Sequence, residues 1–323
     1  MRNLLQVIPI PISGLMLAFI SLGNLLLSMN QSLTGHFFFF IGIVLFLLIV
    51  GKILFAFSSV VKEMQNPIIA SVSPTFTMGT LSISNGLHYY GIQEVFIHTL
   101  WIAAATLQIG IILYFIKTFV WKNKVTISQV FPSWLILFVG TAVMPLTAGN
   151  LSGTFTKGVL IFAVCAIVIL VPIIILRGFI RKDLPEPTIP MLTILTAPAS
   201  LCLAAYFKQF EAQLFIVVTF FIVAQLLYLL VLTKLPSALK LPFYPSYAAF
   251  TFPLVISATA TNAVIHFFEQ KETASQWLTS YFYFQLTFSS VIVLYVLIRY
   301  INYLTVQLHQ KRAIAAEKKE AIS

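Results

Sequence analysis

Ten apolar stretches of about 18 to 27 residues follow one another along this 323-residue chain, each matching the roughly 20 residues an α-helix needs to cross a hydrocarbon core. Their approximate limits are 8–29, 36–58, 68–86, 95–119, 133–155, 159–179, 188–207, 213–233, 246–267 and 277–303. Lipid offers the backbone no water to bond, so segments of this kind become spanning helices. Composition agrees. Apolar residues make up 59% of the chain, charged residues 9%, and mean hydropathy is +0.98, which leaves too little polar surface for a soluble domain. The connections are short, so residues 1–304 read as one membrane domain and 305–323 as a water-exposed tail. Arg2 ahead of the first stretch gives it the look of a cleaved leader. Pro9 and Pro11, the lack of a small-residue cleavage site and the nine further stretches argue for a retained helix.

The net charge of +10 does not point to nucleic acid, because the basic residues are dispersed at the ends of apolar stretches. On the side of the N-terminus lie Arg2, Lys62, Lys117, Lys122, Lys124, Arg177, Arg181, Lys182, Lys234, Lys240, Lys311, Arg312, Lys318 and Lys319, against Lys157, Lys208 and Lys271 opposite. Both termini are therefore expected in the cytoplasm. Lys52 and Arg299 sit toward the cytoplasmic ends of their stretches, where long side chains snorkel. Trp121 and Trp134 near one interface and Trp101 and Trp277 near the other suggest an aromatic belt. Cys165 and Cys202 each fall inside an apolar stretch, as packing residues, with no disulfide framework or metal spacing; no cofactor is implied.

Proline is distributed unevenly. Pro9, Pro11, Pro67, Pro74, Pro132, Pro145, Pro187, Pro190, Pro198, Pro245 and Pro253 lie in or at the entrance of odd-numbered stretches, and Pro172 alone falls within an even one. Pro9, Pro67, Pro132, Pro190 and Pro245 recur about once per helical hairpin, which predicts five parallel hairpin repeats. Hydroxyls follow a similar rule: Ser71, Ser73, Thr75, Thr77, Thr80, Ser82 and Ser84 mark the third stretch, and Thr251, Ser257, Thr259, Thr261 and Asn262 the ninth. The tenth, with Gln285, Thr287, Ser289 and Ser290, departs from it. The expected architecture is an all-α polytopic membrane protein of ten helices, the kinked odd ones forming an inner ring around a pore and the greasy even ones an outer ring. A proline at membrane depth frees backbone groups that only protein or a water-filled cavity satisfies.

The run AFTFP at Ala249–Pro253, followed by ISATAT, resembles the ninth-helix signature of the tellurite-resistance and C4-dicarboxylate transporter family, which includes plant guard-cell slow anion channels, fungal malate permeases and sulfite exporters. Weaker similarities are PIPISGLMLAF in the first stretch, LTAPAS in the seventh and LTKLPSALKLPF before the ninth. The family's usual aromatic pair and tyrosine before TFP are replaced here by Tyr247, Ala248, Ala249 and Phe250. The resemblance implies a homotrimer whose protomers each carry a central pore closed near mid-membrane by a phenylalanine, at the position of Phe252. A bulky apolar ring beside a proline kink constricts and dewets a narrow channel. Phe250, two residues away, points to a different face.

The permeant is read from charge. No apolar stretch contains Asp or Glu, so there is no carboxylate ring for cations, and cytoplasmic basic residues raise the local anion concentration. Helices restarting after proline present positive ends to anions. His36, His88, His98 and His266 lie toward the outer ends of their stretches and read as interfacial residues. A membrane enzyme would need intramembrane aspartates or an HExxH run, and neither is present. The rivals are a ten-helix metabolite or drug exporter of two inverted halves, whose repeat would be far longer than the proline period, and a proton-coupled dicarboxylate transporter. The reading is an anion channel or passive anion transporter of the bacterial inner membrane, passing small or easily dehydrated anions such as C4-dicarboxylates, tellurite or sulfite. Phe252 is its gate, and Ser13, Gly14, Ser73, Pro74, Gly140, Ala197, Pro198, Phe250, Thr251 and Thr259 line the pore.

Overall fold

Proline decides where the helices of this chain stop and restart. The computed structural model describes residues 2–121, 125–273 and 275–320, with side chains over 4–121, 125–273 and 275–311. Lys122 and Lys124, and the side chains of Arg2, Arg312, Lys318 and Lys319, all part of the charge asymmetry above, lie outside the described residues. In chain order the apolar elements are α1 (Ile12–Ser28), α2 (Ser32–Phe55), α3 (Pro67–Val72 continued by Pro74–Gly86), α4 (Glu94–Val120), α5 (Trp134–Thr147), α6 (Thr154–Arg181), α7 (Glu186–Gln209), α8 (Leu214–Leu232), α9 (Pro245–Glu269) and α10 (Gln276–Lys311). No strand occurs among the described residues.

Seven of these, α2, α4 and α6 to α10, are long and apolar enough to cross a membrane among the described residues. The stretches at 8–29, 68–86 and 133–155 do not form continuous helices of that length, and proline is the reason. A proline lacks the N–H that the ladder needs and its ring crowds the preceding turn, which disfavours continuous helix. Pro9 and Pro11 delay α1 to Ile12, Pro74 restarts α3, and α5 passes through a 3-10 stretch at Val139–Ala142. In α7 and α9 the break is a longer 3-10 entry, Glu186–Thr196 and Pro245–Phe250, before regular helix resumes. The even elements α4 and α6 instead run to a π-helical last turn, Ile116–Val120 and Leu176–Arg181.

Packing follows the same division. α1 packs on α3, α3 on α5, α5 on α7, α7 on α9, and α9 returns to α1. The most apolar window of α7 is 94% buried and that of α9 78%, against 28–39% for α2, α4, α6, α8 and α10. With no hydrophobic drive between helices in lipid, such contacts depend on close approach. Gly35 and Gly42, seven residues apart on one face of α2, meet α1 so closely that a Cβ would stand 2.7 Å from Leu27 and 2.5 Å from Ile20. Hydroxyls bond across neighbours: Ser13 and Thr75 share a 2.5 Å hydrogen bond, and Ser71 donates to Ser133 at 2.7 Å. The exception at the tenth stretch is resolved by its partner. Thr261 of α9 donates to Gln285 of α10 at 2.6 Å, inside a polar cluster completed by Gln225 and Tyr281.

Three expectations about side chains need correction. Lys52 does not snorkel: it is 1% exposed, and its ammonium is held by Glu63 and the carbonyl of Ile8. Glu63, itself partly exposed, also accepts from the Ile10 amide at 3.0 Å, so one ion pair satisfies both backbone groups bared by the Pro9–Pro11 break. Arg299 is half-buried among the rings of Phe243, Tyr247 and Tyr295, with Nη1 donating to Tyr295 at 2.7 Å. Of the tryptophans, Trp121 and Trp277 are exposed. Trp134 is buried, and Trp101 is buried with its indole donating to Thr147 at 3.1 Å. Cys202 is buried as expected, whereas Cys165 is exposed on α6.

Candidate functional site

The ring of broken helices encloses two cavities. The first, about 40 Å³ in volume, is apolar and takes its walls from every odd-numbered element: Gly14 of α1, Met78 of α3, Gly140 of α5, Ala197, Pro198 and Leu201 of α7, and Phe252 of α9 are among them. It has room for only a few waters, each needing roughly 10–15 Å³ on this measure. The second, about 500 Å³, is polar, lined by Asn24, Asn85, His88, Lys208, Asn262 and His266 among others. Among the described residues, Phe252 is the one common to both walls. Its side chain is 7% exposed.

The local sequence explains why a phenylalanine stands there. Pro245 opens a 3-10 segment that ends at Thr251, whose backbone (φ −96°, ψ −80°) leaves helical geometry, and the helix restarts at Phe252 with Pro253 next. Proline at that point costs no hydrogen bond, because the first N–H groups of a helix have no partner within it. The Thr251 hydroxyl donates to Ala248 O at 2.6 Å and reaches Gly14 O at 3.3 Å, tying the break to α1. Below it, Phe250 is fully buried edge-on against Tyr247 at 4.9 Å, and Tyr247 donates to Leu241 O at 2.6 Å.

Gly14, Gly140, Ala197, Pro198 and Phe252 thus meet around the apolar cavity, and Thr259 lines the polar one on the face it shares with Phe252. Ser13 and Ser73 do not reach these cavities. They border a separate 220 Å³ space beside Lys52, and their hydroxyls bond to Ile10 O and Ala70 O at 2.8 Å. Pro74, Phe250 and Thr251 are buried behind the lining. The sequence reading missed Met78, Met191 and Leu201, which no pattern separates from ordinary core residues. Asn24 and Asn85 carried a usable signal, an amide within an apolar stretch. Among the described residues no charged side chain lines the apolar cavity, whereas Lys208 and two histidines line the polar one. His88 lies 3.2 Å from Glu94, which also meets His98 at 3.1 Å, and His266 lies 2.8 Å from Glu269.

The model of the voltage-dependent anion channel family (SLAC1) matches residues 8–301. The chain belongs to that family. This is the tellurite-resistance and dicarboxylate transporter group that the AFTFP run resembles. The match takes in α1 to α9 and most of α10. Membership in the voltage-dependent anion channel family makes the chain an integral membrane anion channel or transporter, in a family of channels and transporters rather than enzymes. A comparison with curated proteins finds no match.

Proposed function

We propose that this protein is a passive anion channel of the bacterial inner membrane, in which Phe252 closes a pore running between the polar and apolar cavities. The observation that carries the reading is that one aromatic ring lines both of two cavities whose walls come mainly from the odd-numbered elements. A narrow apolar constriction resists wetting, and an ion that must shed water to enter it faces a barrier. Ten spanning segments in five parallel hairpins, odd inside and even outside, account for the proline breaks and for the closed sequence of contacts from α1 to α9 and back. Two inverted halves would not produce that order of neighbours. With only small and apolar groups in the narrow part, selectivity rests on size and ease of dehydration, which suits small inorganic anions and C4-dicarboxylates. Both termini on the cytoplasmic side, residues 305–323 as a cytoplasmic tail, and a homotrimer with one pore per protomer complete the proposal.

The test is flux of chloride, nitrate and a C4-dicarboxylate through purified protein in liposomes, for wild type and Phe252→Ala. Flux that rises at least tenfold in the variant, with no ion gradient required, is the expected outcome. A folded variant no more permeable than wild type, or transport that runs only with a proton gradient, overturns the gate and favours a coupled transporter.

A further inference from the structure

The polar cavity has a side arm that conduction does not require. Between α7 and α9 a second space of about 430 Å³ opens, walled by Phe207, Phe210, Phe267 and small apolar residues, and it shares Lys208, Thr259 and His266 with the polar cavity. Phe207 lies 5.8 Å from Phe267, and Tyr206, behind the lining, packs 5.6 Å from Phe210. All three lysines that the sequence places opposite the termini converge on it. Lys157 stands 5.2 Å over the Phe210 ring, Lys271 stands 5.1 Å over Phe267, and Lys208 lines the space itself. Lys208 makes no hydrogen bond or ion pair among the described residues, so its ammonium is available to a ligand. Three carboxylates lie nearby in sequence, Glu211, Glu269 and Glu272, and Glu269 is already engaged by His266.

We propose that this side arm binds an amphiphilic organic anion, its charged head on Lys208 and its apolar body against Phe207, Phe210 and Phe267. A carboxylate with no apolar body would leave the rings unfilled, and a neutral aromatic would leave the ammonium unpaired. The volume falls in the range of small-molecule sites, about 300–1,000 Å³. Because the arm opens into the polar cavity through Lys208, an occupant neutralises the cation nearest the pathway and narrows its mouth. This consequence rests on the polar cavity being the mouth of the pore; the binding itself does not. The same chemistry has two sources, a free aryl or short-chain carboxylate and the head and first carbons of an anionic lipid.

The experiment uses 1-naphthoate as probe, with acetate and 1-naphthalenemethanol as controls. Equilibrium binding to detergent-purified protein and block of chloride flux in liposomes are both measured for wild type, Lys208→Gln and Phe210→Ala, each flux normalised to the uninhibited rate of its own variant. Both substitutions fall on exposed side chains, which favours folded variants. Naphthoate binding and block, with affinity falling about tenfold in either variant and neither control active, is the expected result. Equal affinity in wild type and Lys208→Gln, or equal block by the alcohol, overturns the site. Liposomes of neutral lipid and of phosphatidylglycerol separate the sources. Competition by phosphatidylglycerol that disappears in Phe210→Ala identifies lipid as an occupant, and its absence identifies a free anion; both support the site. Lys208-dependent binding with no gain of flux in Phe252→Ala leaves the side arm standing without the gate. Flux gain without binding does the reverse.

Discussion

At the scale of single residues, Lys52 carries the largest energetic stake. Removing Lys52 bares the Ile8 carbonyl and leaves Glu63, partly exposed and still accepting from the Ile10 amide, without its cation, a loss below the ~3–5 kcal/mol of a fully buried pair. Lys52→Met should therefore lower the thermal unfolding midpoint in detergent markedly, while Lys62→Met, on an exposed neighbour, should leave it almost unchanged. Gly140 tests the apolar cavity from its opposite wall. A Cβ there would lie 2.8 Å from Met78 Sδ, the end of a flexible side chain that also lines the cavity. Gly140→Ala should displace the thioether into the opening and reduce flux in a Phe252→Ala background, with little change in stability. Phe252 was legible because a motif and a proline flanked it. Lys52 was misread because hydropathy places a lysine at a helix end without showing that Glu63, eleven positions on, folds back to meet it.

Among the elements, glycines divide into those that allow contact and those that face open space. At Gly42 a Cβ would also stand 3.0 Å from the backbone nitrogen of Ile20, which cannot swing away, so Gly42→Leu should part α1 from α2 and cost at least the ~1–3 kcal/mol typical of overpacking. Gly110 on α4 has nothing within 4 Å, and Gly110→Ala should add the ~0.5–1 kcal/mol of stability that glycine forfeits inside a helix, read as a higher unfolding midpoint. The entries of α7 and α9 are joined by Tyr244 donating to Glu186 at 2.7 Å. That hydrogen bond to the carboxylate, more than burial, raises the phenol above its ordinary 10.0. A raised pKa means the bond contributes fully below pH 10 and is lost as pH climbs through the higher folded value. Phenolate absorbance of wild type against Tyr244→Phe should show one tyrosine ionising late. The even helices were readable from length alone. α1, α3 and α5 were not, because a helix broken by proline keeps its apolar count but loses its continuity.

For the whole molecule, Pro9, Pro67, Pro132, Pro190 and Pro245 each stand at or just before one of the elements α1, α3, α5, α7 and α9, which contact one another in that order. What remained hidden was lateral: the phenylalanine-walled side arm, and the 430 Å³ groove between α4 and α6 floored by Thr141 and Met144, arise from how far apart helices stand, which no local pattern encodes. The pair of Lys52 and Glu63 has one more implication, and it concerns biosynthesis. Synthesis runs from the N-terminus, so Lys52 leaves the ribosome ahead of Glu63, which lies in the short helix Phe57–Met64 directly after α2. Until Glu63 follows, Lys52 has no acid to meet, and the bared Ile10 amide has no carboxylate to accept from it. The lysine can keep its head in the interfacial water at that stage and be drawn inward only when the next segment arrives. The first two helices should therefore stay adjustable in the membrane during translation and lock as the third begins to insert.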